Sequence, residues 1–299
     1  MTDKVEVAPV DLSFSDTLKV EEKENLISFC APGFFIAFNT ESGEMSSLRY
    51  AGTDMLHNKK GFRFNWYRSI DNDVRTDLPT LVKKQSLEWE RSEDKKVVTL
   101  TTRMEATVGQ DKKAVVVPFE VHYTIYANGT VEVASSFKTD DKFNLPRLGL
   151  QVALNPKLEQ IEWYGRGPIE NHADRKAAAY IGRYQSTVTK MEEAYVRAQS
   201  MGNREEVRWL QLTNAERKGI KITSKDRLNF SALHFTDQDL WNVTYGHDRD
   251  NVRRAEVILN LDCIQRGLGN KSCGPGPLPQ YEIEKGQTYS YSFRIESIP

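Results

Sequence analysis

Phe119, Val121, Tyr123 and Ile125 alternate with polar or small neighbours, and beyond Ala127-Asn128-Gly129-Thr130 the alternation continues at Val131, Val133 and Phe137. Successive side chains of a strand point to opposite faces, so alternation of this length specifies a half-buried β-hairpin. Asn-Gly supplies the positive φ values of a type I′ turn, which predicts a tight two-residue connection. Ser42-Gly43, between Phe34-Ile36-Phe38 and Leu48-Tyr50, reads as a second hairpin. Shorter runs at Val97–Thr101, Leu148–Leu154, Ile161–Trp163, Val207–Leu212, Ile220–Thr223, Val257–Leu261 and Tyr289–Ile295 are further strand candidates. Helix signals are few. Ala173–Ile181 is one short candidate, and Thr236-Asp237-Gln238-Asp239 before Leu240-Trp241 is a capping box with Asp in place of Glu. Residues 1–16 are polar without a sustained period, a linker or a leading strand, and 17–299 read as one domain. The expectation is an all-β fold, antiparallel, with two packed sheets.

Composition removes several functional classes. With 41 Lys+Arg against 42 Asp+Glu the net charge is −1, which gives no bulk attraction to nucleic acid or to an acidic membrane. No apolar run approaches the ~20 residues of a membrane span. The first residues, Met1-Thr-Asp-Lys-Val-Glu, do not read as a signal peptide, which leaves the compartment open between cytoplasm and periplasm. Cys30, Cys263 and Cys273 are widely spaced and form no CxxC pair, so zinc and a disulfide framework are both disfavoured. No His spacing suggests a metal, no cofactor is expected, and no Gly-x-Ser-x-Gly elbow is present. Gly267–Ser272 looks like a phosphate loop only superficially. Pro275, Pro277 and Pro279 forbid the helix whose N-terminus would face the phosphate.

Two stretches carry candidate chemistry. Asp71-Asn72-Asp73 is dense in oxygen ligands and suits either a hard cation or sugar hydroxyls, although Asp and Asn also cap their own turns. Trp163-Tyr-Gly-Arg-Gly-Pro-Ile-Glu-Asn-His-Ala-Asp-Arg175 places two glycines and a proline directly after a strand, then crowds an amide, two acids and two arginines at its exit. Those residue types serve sugar sites. Glu170 and Asp174 paired with Arg166 and Arg175 would equally make a structural ion-pair lock.

The same run closely resembles the W-x-G-x-G-P-x-E-N-x-x-D-R signature of the C-terminal, small-chain domain of glycoside hydrolase family 2 β-galactosidases. The likeness continues in order along the chain. Leu18–Leu56 resembles the family's entry hairpins, and Arg63-Phe-Asn-Trp-Tyr-Arg68-Ser-Ile-Asp71-Asn72-Asp73 its F-x-R-x-x-x-D-N-D segment. Gly202-Asn203-Arg204-x-x-x-Arg208-Trp209 and Gly267-Leu268-Gly269-x-x-Ser272-Cys273-Gly274-Pro275 resemble its later motifs. Two positions depart: His172 stands where many members have Tyr, and Cys273 where some have a Trp that reaches the catalytic site.

The resemblance implies a β-supersandwich like that of galactose mutarotases. It implies that the catalytic glutamates of the enzyme belong to a separate (β/α)8 barrel, which would be this domain's partner, and assigns no catalytic residue to these 299 positions. Any divalent cation of the full enzyme would sit in that barrel. Asp71, Asn72, Asp73 and Cys273 would lie nearest a galactoside, with Arg68, Arg166, Glu170, Asn171, Asp174 and Arg175 holding the loop framework. The full enzyme would be an oligomer. The competing expectations are a stand-alone carbohydrate-binding module and, last, an aldose-epimerase-like enzyme with a His and a Glu acting on one sugar.

Overall fold

The alternating segment forms a hairpin in the computed structural model, which describes residues 7–70, 80–110, 114–270 and 274–299. Its strands are β9 (Val115–Tyr126) and β10 (Val131–Lys138), with Phe119 opposite Phe137, Tyr123 opposite Val133 and Ile125 opposite Val131, all buried. The turn differs from the expected type I′. Gly129 has φ +87° but Asn128 is not left-handed, and Tyr126 N donates to Thr130 O while Gly129 N donates to Tyr126 O. This closes a three-residue loop with the glycine in its left-handed position, the next most common hairpin solution. The Asn128 side chain accepts from Thr130 N instead.

Five strands make a small antiparallel sheet in simple order: β1 (Lys19–Lys23), β2 (Leu26–Ala31), β3 (Phe34–Asn39), β4 (Met45–Tyr50) and β5 (Thr53–Asp54). The Ser42-Gly43 hairpin joins β3 to β4. The larger sheet contains β6 (Arg63–Asn65), β7 (Thr80–Arg91), β8 (Val97–Val108), β9, β10, β11 (Arg147–Leu154), β12 (Gln160–Gly167), β13 (Tyr180–Thr187), β14 (Arg204–Thr213), β15 (Gly219–Leu233), β16 (Val257–Gln265) and β17 (Thr288–Ile298). It runs β13-β12-β14-β15-β17-β10-β9-β8-β7, and β16, β11 and β6 branch from β15.

The branch explains how one sheet supplies two layers. The first part of β15, Gly219–Ser224, pairs with β17, and its last part, Asn229–Leu233, pairs with β16. Arg227 between them takes φ +62°, which bends the strand. The β6–β11–β16 arm then packs on the β9–β10–β17 face, where Phe64 meets Phe119 and Phe137 while Phe62 meets Phe293. The small sheet covers the other end through Phe38 on Tyr123 and Phe29 on Trp89. The all-β, antiparallel expectation holds.

Helix is scarce, as expected. Thr236 and Asp239 form the reciprocal capping box, which opens α1 (Asp237–Trp241). The Ala173–Ile181 helix does not form: residues 173–179 are turns and irregular chain with a bridge from Arg175 to His172, and Tyr180 and Ile181 begin β13. Tertiary partners take the groups such a helix would use. Arg166 captures the Ala179 carbonyl at 2.8 Å, and the Asp174 carboxylate accepts backbone amides from residues 268 and 269. The sequence pattern also missed β7, whose side chains are mostly exposed and therefore carry little apolar periodicity.

Candidate functional site

The ends of β6, β12, β14 and β16 deliver a cluster of polar loops: 66–70, 168–179, 195–203 and, among the described residues, 266–270 with 274–282. At its centre is Arg147, the first residue of β11, with its side chain 3% exposed. Nη1 donates to Asp237 Oδ2 at 2.6 Å and to the Tyr67 carbonyl at 3.2 Å, and Nε lies 3.1 Å from Asp262 Oδ2. A guanidinium presents five donors in a fixed plane, so a single buried Arg can join three segments distant in sequence. The capping box of α1 is what places Asp237 here. Its other oxygen is bonded to Ser200 Oγ, and Ser200 Oγ in turn accepts from Ser69 N at 2.6 Å.

Arg68, equally buried, donates to the carbonyls of Arg266 at 2.7 Å and Gly267 at 3.2 Å. Asn171 and Asn203 clasp each other. Asn171 N donates to Asn203 O at 2.9 Å, Asn203 Nδ2 to Asn171 O at 2.7 Å, and Glu205 N to Asn171 Oδ1 at 3.0 Å. Gln265 bridges Asn203 and Asp262. Asp174 accepts from Leu268 N at 3.0 Å and Gly269 N at 2.7 Å, while Arg175 donates to Gly269 O at 2.7 Å. Gly267 is obligatory in this arrangement: a Cβ there would sit 2.7 Å from Asp174 Oδ2.

The ion-pair lock expected between Glu170 or Asp174 and Arg166 or Arg175 is not what forms. Arg166 Nε lies 2.9 Å from Glu206, and Lys176 bridges Glu205 and Glu206 at 2.9 and 3.0 Å. Glu170 accepts from the Tyr195 hydroxyl and from Gly202 N. Arg175 is exposed and Asp174 binds amides, so their adjacency in sequence creates no buried pair. Arg166 meets its partner on β14, whereas Glu170, Asp174 and Arg175 meet groups of other loops.

Burial sets the electrostatics. It pushes the Asp262 carboxyl up to about 6 against the pull of Arg147. Burial and the neighbouring Arg68 charge hold His172 down to about 3, so its imidazole is neutral, with Nδ1 buried and unpartnered among the described residues. Burial likewise raises Glu205 despite Lys176. Asp174 goes the other way: burial opposes its charge, yet the Gly269 and Leu268 amides keep its carboxyl below the usual range.

Six of the ten site residues proposed from sequence, Arg68, Arg166, Glu170, Asn171, Asp174 and Arg175, therefore fall within one connected loop cluster. Asp71, Asn72, Asp73 and Cys273 lie outside the described residues. Sequence reasoning missed Arg147, Asp237, Asp262 and Gln265. A signal existed: Arg147 and Asp262 are charged residues within the apolar runs of β11 and β16. Beside the cluster lies a cavity of about 200 Å3 lined by Lys176, Glu205, Asn229, Gln280 and Glu282 among others. Each described carboxylate named in the cluster has at least one internal partner, while Asp262 Oδ1 is buried without a hydrogen-bond partner among the described residues. Among the described residues no three His, Cys, Asp or Glu side chains are placed to hold a metal ion.

The chain is similar to known proteins. Residues 31–295 match the family described as beta galactosidase small chain. A beta-galactosidase of Priestia megaterium is 24% identical over 290 residues, 94% of this chain and 27% of that protein. One of Lactobacillus delbrueckii subsp. bulgaricus is 31% identical over 215 residues, 68% of this chain and 20% of the relative. The chain thus spans about a quarter of the length of the curated relatives it matches. Among solved structures, a galactose mutarotase-like protein from Clostridium acetobutylicum superposes with a TM-score of 0.49 at 10% identity, covering 95% of this chain and 99% of that one.

Proposed function

Because the chain belongs to the beta-galactosidase small chain family, we propose that it is the non-catalytic part of a β-galactosidase, presenting its polar loop cluster to a separate catalytic barrel. The observation that carries this reading is the Arg147–Asp237–Asp262 centre with its Arg68 and Asn171–Asn203 extensions. It ties four loops into one unit while keeping its acids internally occupied. Retaining glycoside hydrolysis needs two carboxylates about 5–5.5 Å apart, one of them available as acid and base. The cluster instead offers a rigid wall. On this reading Asp71, Asn72, Asp73 and Cys273, which adjoin Arg68 and Gly269 in sequence, complete a galactoside pocket whose larger part is the barrel.

The test is complementation. The 299-residue chain alone should not turn over a chromogenic β-galactoside, whereas mixing it with a β-galactosidase truncated before its small-chain segment should restore turnover. Hydrolysis by the chain alone, abolished by changing one of its own acids, would sink the proposal. Galactose should bind the isolated chain only in the millimolar range, because an open edge leaves each hydrogen bond about 0.5–1.5 kcal/mol net.

A further inference from the structure

A second cavity lies on the outer face of β12–β14, built from residues that the loop cluster does not use. Strand register places Gln185, Glu162 and Gln211 in one row across β13, β12 and β14, with Arg183, Tyr164 and Trp209 in the next. Residues directly opposed across strands share a face. The intervening Ile161, Trp163, Leu210 and Leu212 are buried on the other side, so this face looks away from the core. The cavity measures about 460 Å3, and its lining includes Gln160, Glu162, Arg183, Gln185, Gln211 and Arg217.

Its floor is preorganised. The Glu162 side chain is 9% exposed and accepts from Arg183 Nε, from Gln211 Nε2 at 2.9 Å and from Gln185 Nε2 at 3.3 Å. Each glutamine amide gives one N–H to the carboxylate, which leaves its second N–H as a donor and its Oε1 as an acceptor, and the arginines supply further donors. An anion would meet the Glu162 carboxylate and two amide oxygens. An apolar ligand would strip all these groups of water without replacing its hydrogen bonds. A hydroxyl both donates and accepts, so a polyol satisfies the set. The adjoining row, beside the cavity, places the Tyr164 and Trp209 rings with centroids 6.5 Å apart and their faces shared with cations. Arg208 lies over Tyr164 at 5.7 Å, and Arg183 and Lys221 lie over Trp209 at 5.7 and 5.5 Å. A pyranose offers several such hydroxyls on one rigid ring.

We infer that the outer face of β12–β14 is a binding site for neutral saccharide, separate from the loop cluster and independent of any catalytic partner. Titration calorimetry and saturation-transfer NMR on the whole chain, with maltose, which carries no galactosyl group, as the neutral probe and glucuronate as the charged one, test it. The expected result is millimolar binding of the neutral probe, weakened about 10-fold or more by Gln185→Ala with Gln211→Ala and retained in Asp73→Ala. Glu162→Gln, which keeps the shape but releases Arg183, should also weaken it. No neutral binding at about 20 mM, tighter binding of glucuronate, or loss in Asp73→Ala with retention in the glutamine variant would each overturn the inference.

Discussion

The β9–β10 hairpin and the Arg147 loop cluster are both buried, yet different forces hold them. In the hairpin, Phe119, Tyr123, Val133 and Phe137 remove apolar surface from water, a force without direction that tolerates changes of shape. In the cluster, one guanidinium serves two carboxylates and a carbonyl, each at hydrogen-bond distance. That arrangement depends on geometry, and removing one partner leaves a buried charge uncompensated. Apolar packing thus builds the platform, and directional polar bonds fix the loops on it.

The largest expected effects test this contrast directly. Arg147→Ala should destabilise by about 3–5 kcal/mol through the unpaired Asp237 and Asp262, and Phe137→Ala by about 3–5 kcal/mol through the cavity it leaves, both read from urea melts. The conservative pair separates the mechanisms. Phe137→Leu should recover most of the loss, whereas Arg147→Lys should recover little, since one ammonium cannot reproduce the planar fork. Equal recovery by the two would erase the distinction drawn here.

A smaller effect is expected at Asp174. Asp174→Ala frees two amides at positions 268 and 269 and should cost about 1–3 kcal/mol. The change should be local, seen as faster hydrogen exchange in the 266–270 segment with little change in the hairpin.

The pH dependence should distinguish the regions as well. The unfolded His172 takes up its proton near 6.5, and the folded one only near 3. Its contribution is therefore full above pH 6.5 and is lost as pH falls toward 3, by about 1.4 kcal/mol per unit. Asp262, raised to about 6, works in the opposite direction below that pH. Comparing wild type with His172→Gln cancels the Asp262 contribution, and the variant should show the shallower loss on acidification from pH 6.5 to 4.5. Parallel curves would mean that His172 is not held neutral.

The smallest effect is expected at Arg175. Exposed, with one bond to Gly269 O, it should cost no more than about 0.5–1.5 kcal/mol as Arg175→Ala. A loss as large as that of Arg147→Ala would reinstate the buried ion pair that the sequence suggested.

Strand identity was legible where one face is buried, because period-2 alternation is a local record of burial, and pairing was legible only at the two hairpins. Val97–Thr101 lies within β8, which alternates in this way, whereas Leu148–Leu154 and Val257–Leu261 lie within strands buried on both faces and were legible as short apolar runs. The capping box of α1 was legible for the same reason: its two bonds join residues three apart. The crowded exit after Trp163 was recognisable as special from composition and from family resemblance. Its wiring was not, because Asp174 binds amides 94 and 95 residues away and Arg147 meets Asp237 90 residues away. Local sequence thus determined which segments are strands, which faces are apolar and which loop is unusual. Only tertiary structure decided that β15 bends to serve two layers, that residues 173–179 form turns and irregular chain instead of a helix, and which carboxylate each arginine meets. Hydrophobic burial is written into neighbouring residues, whereas a directional polar bond exists only once distant strands have brought both partners together.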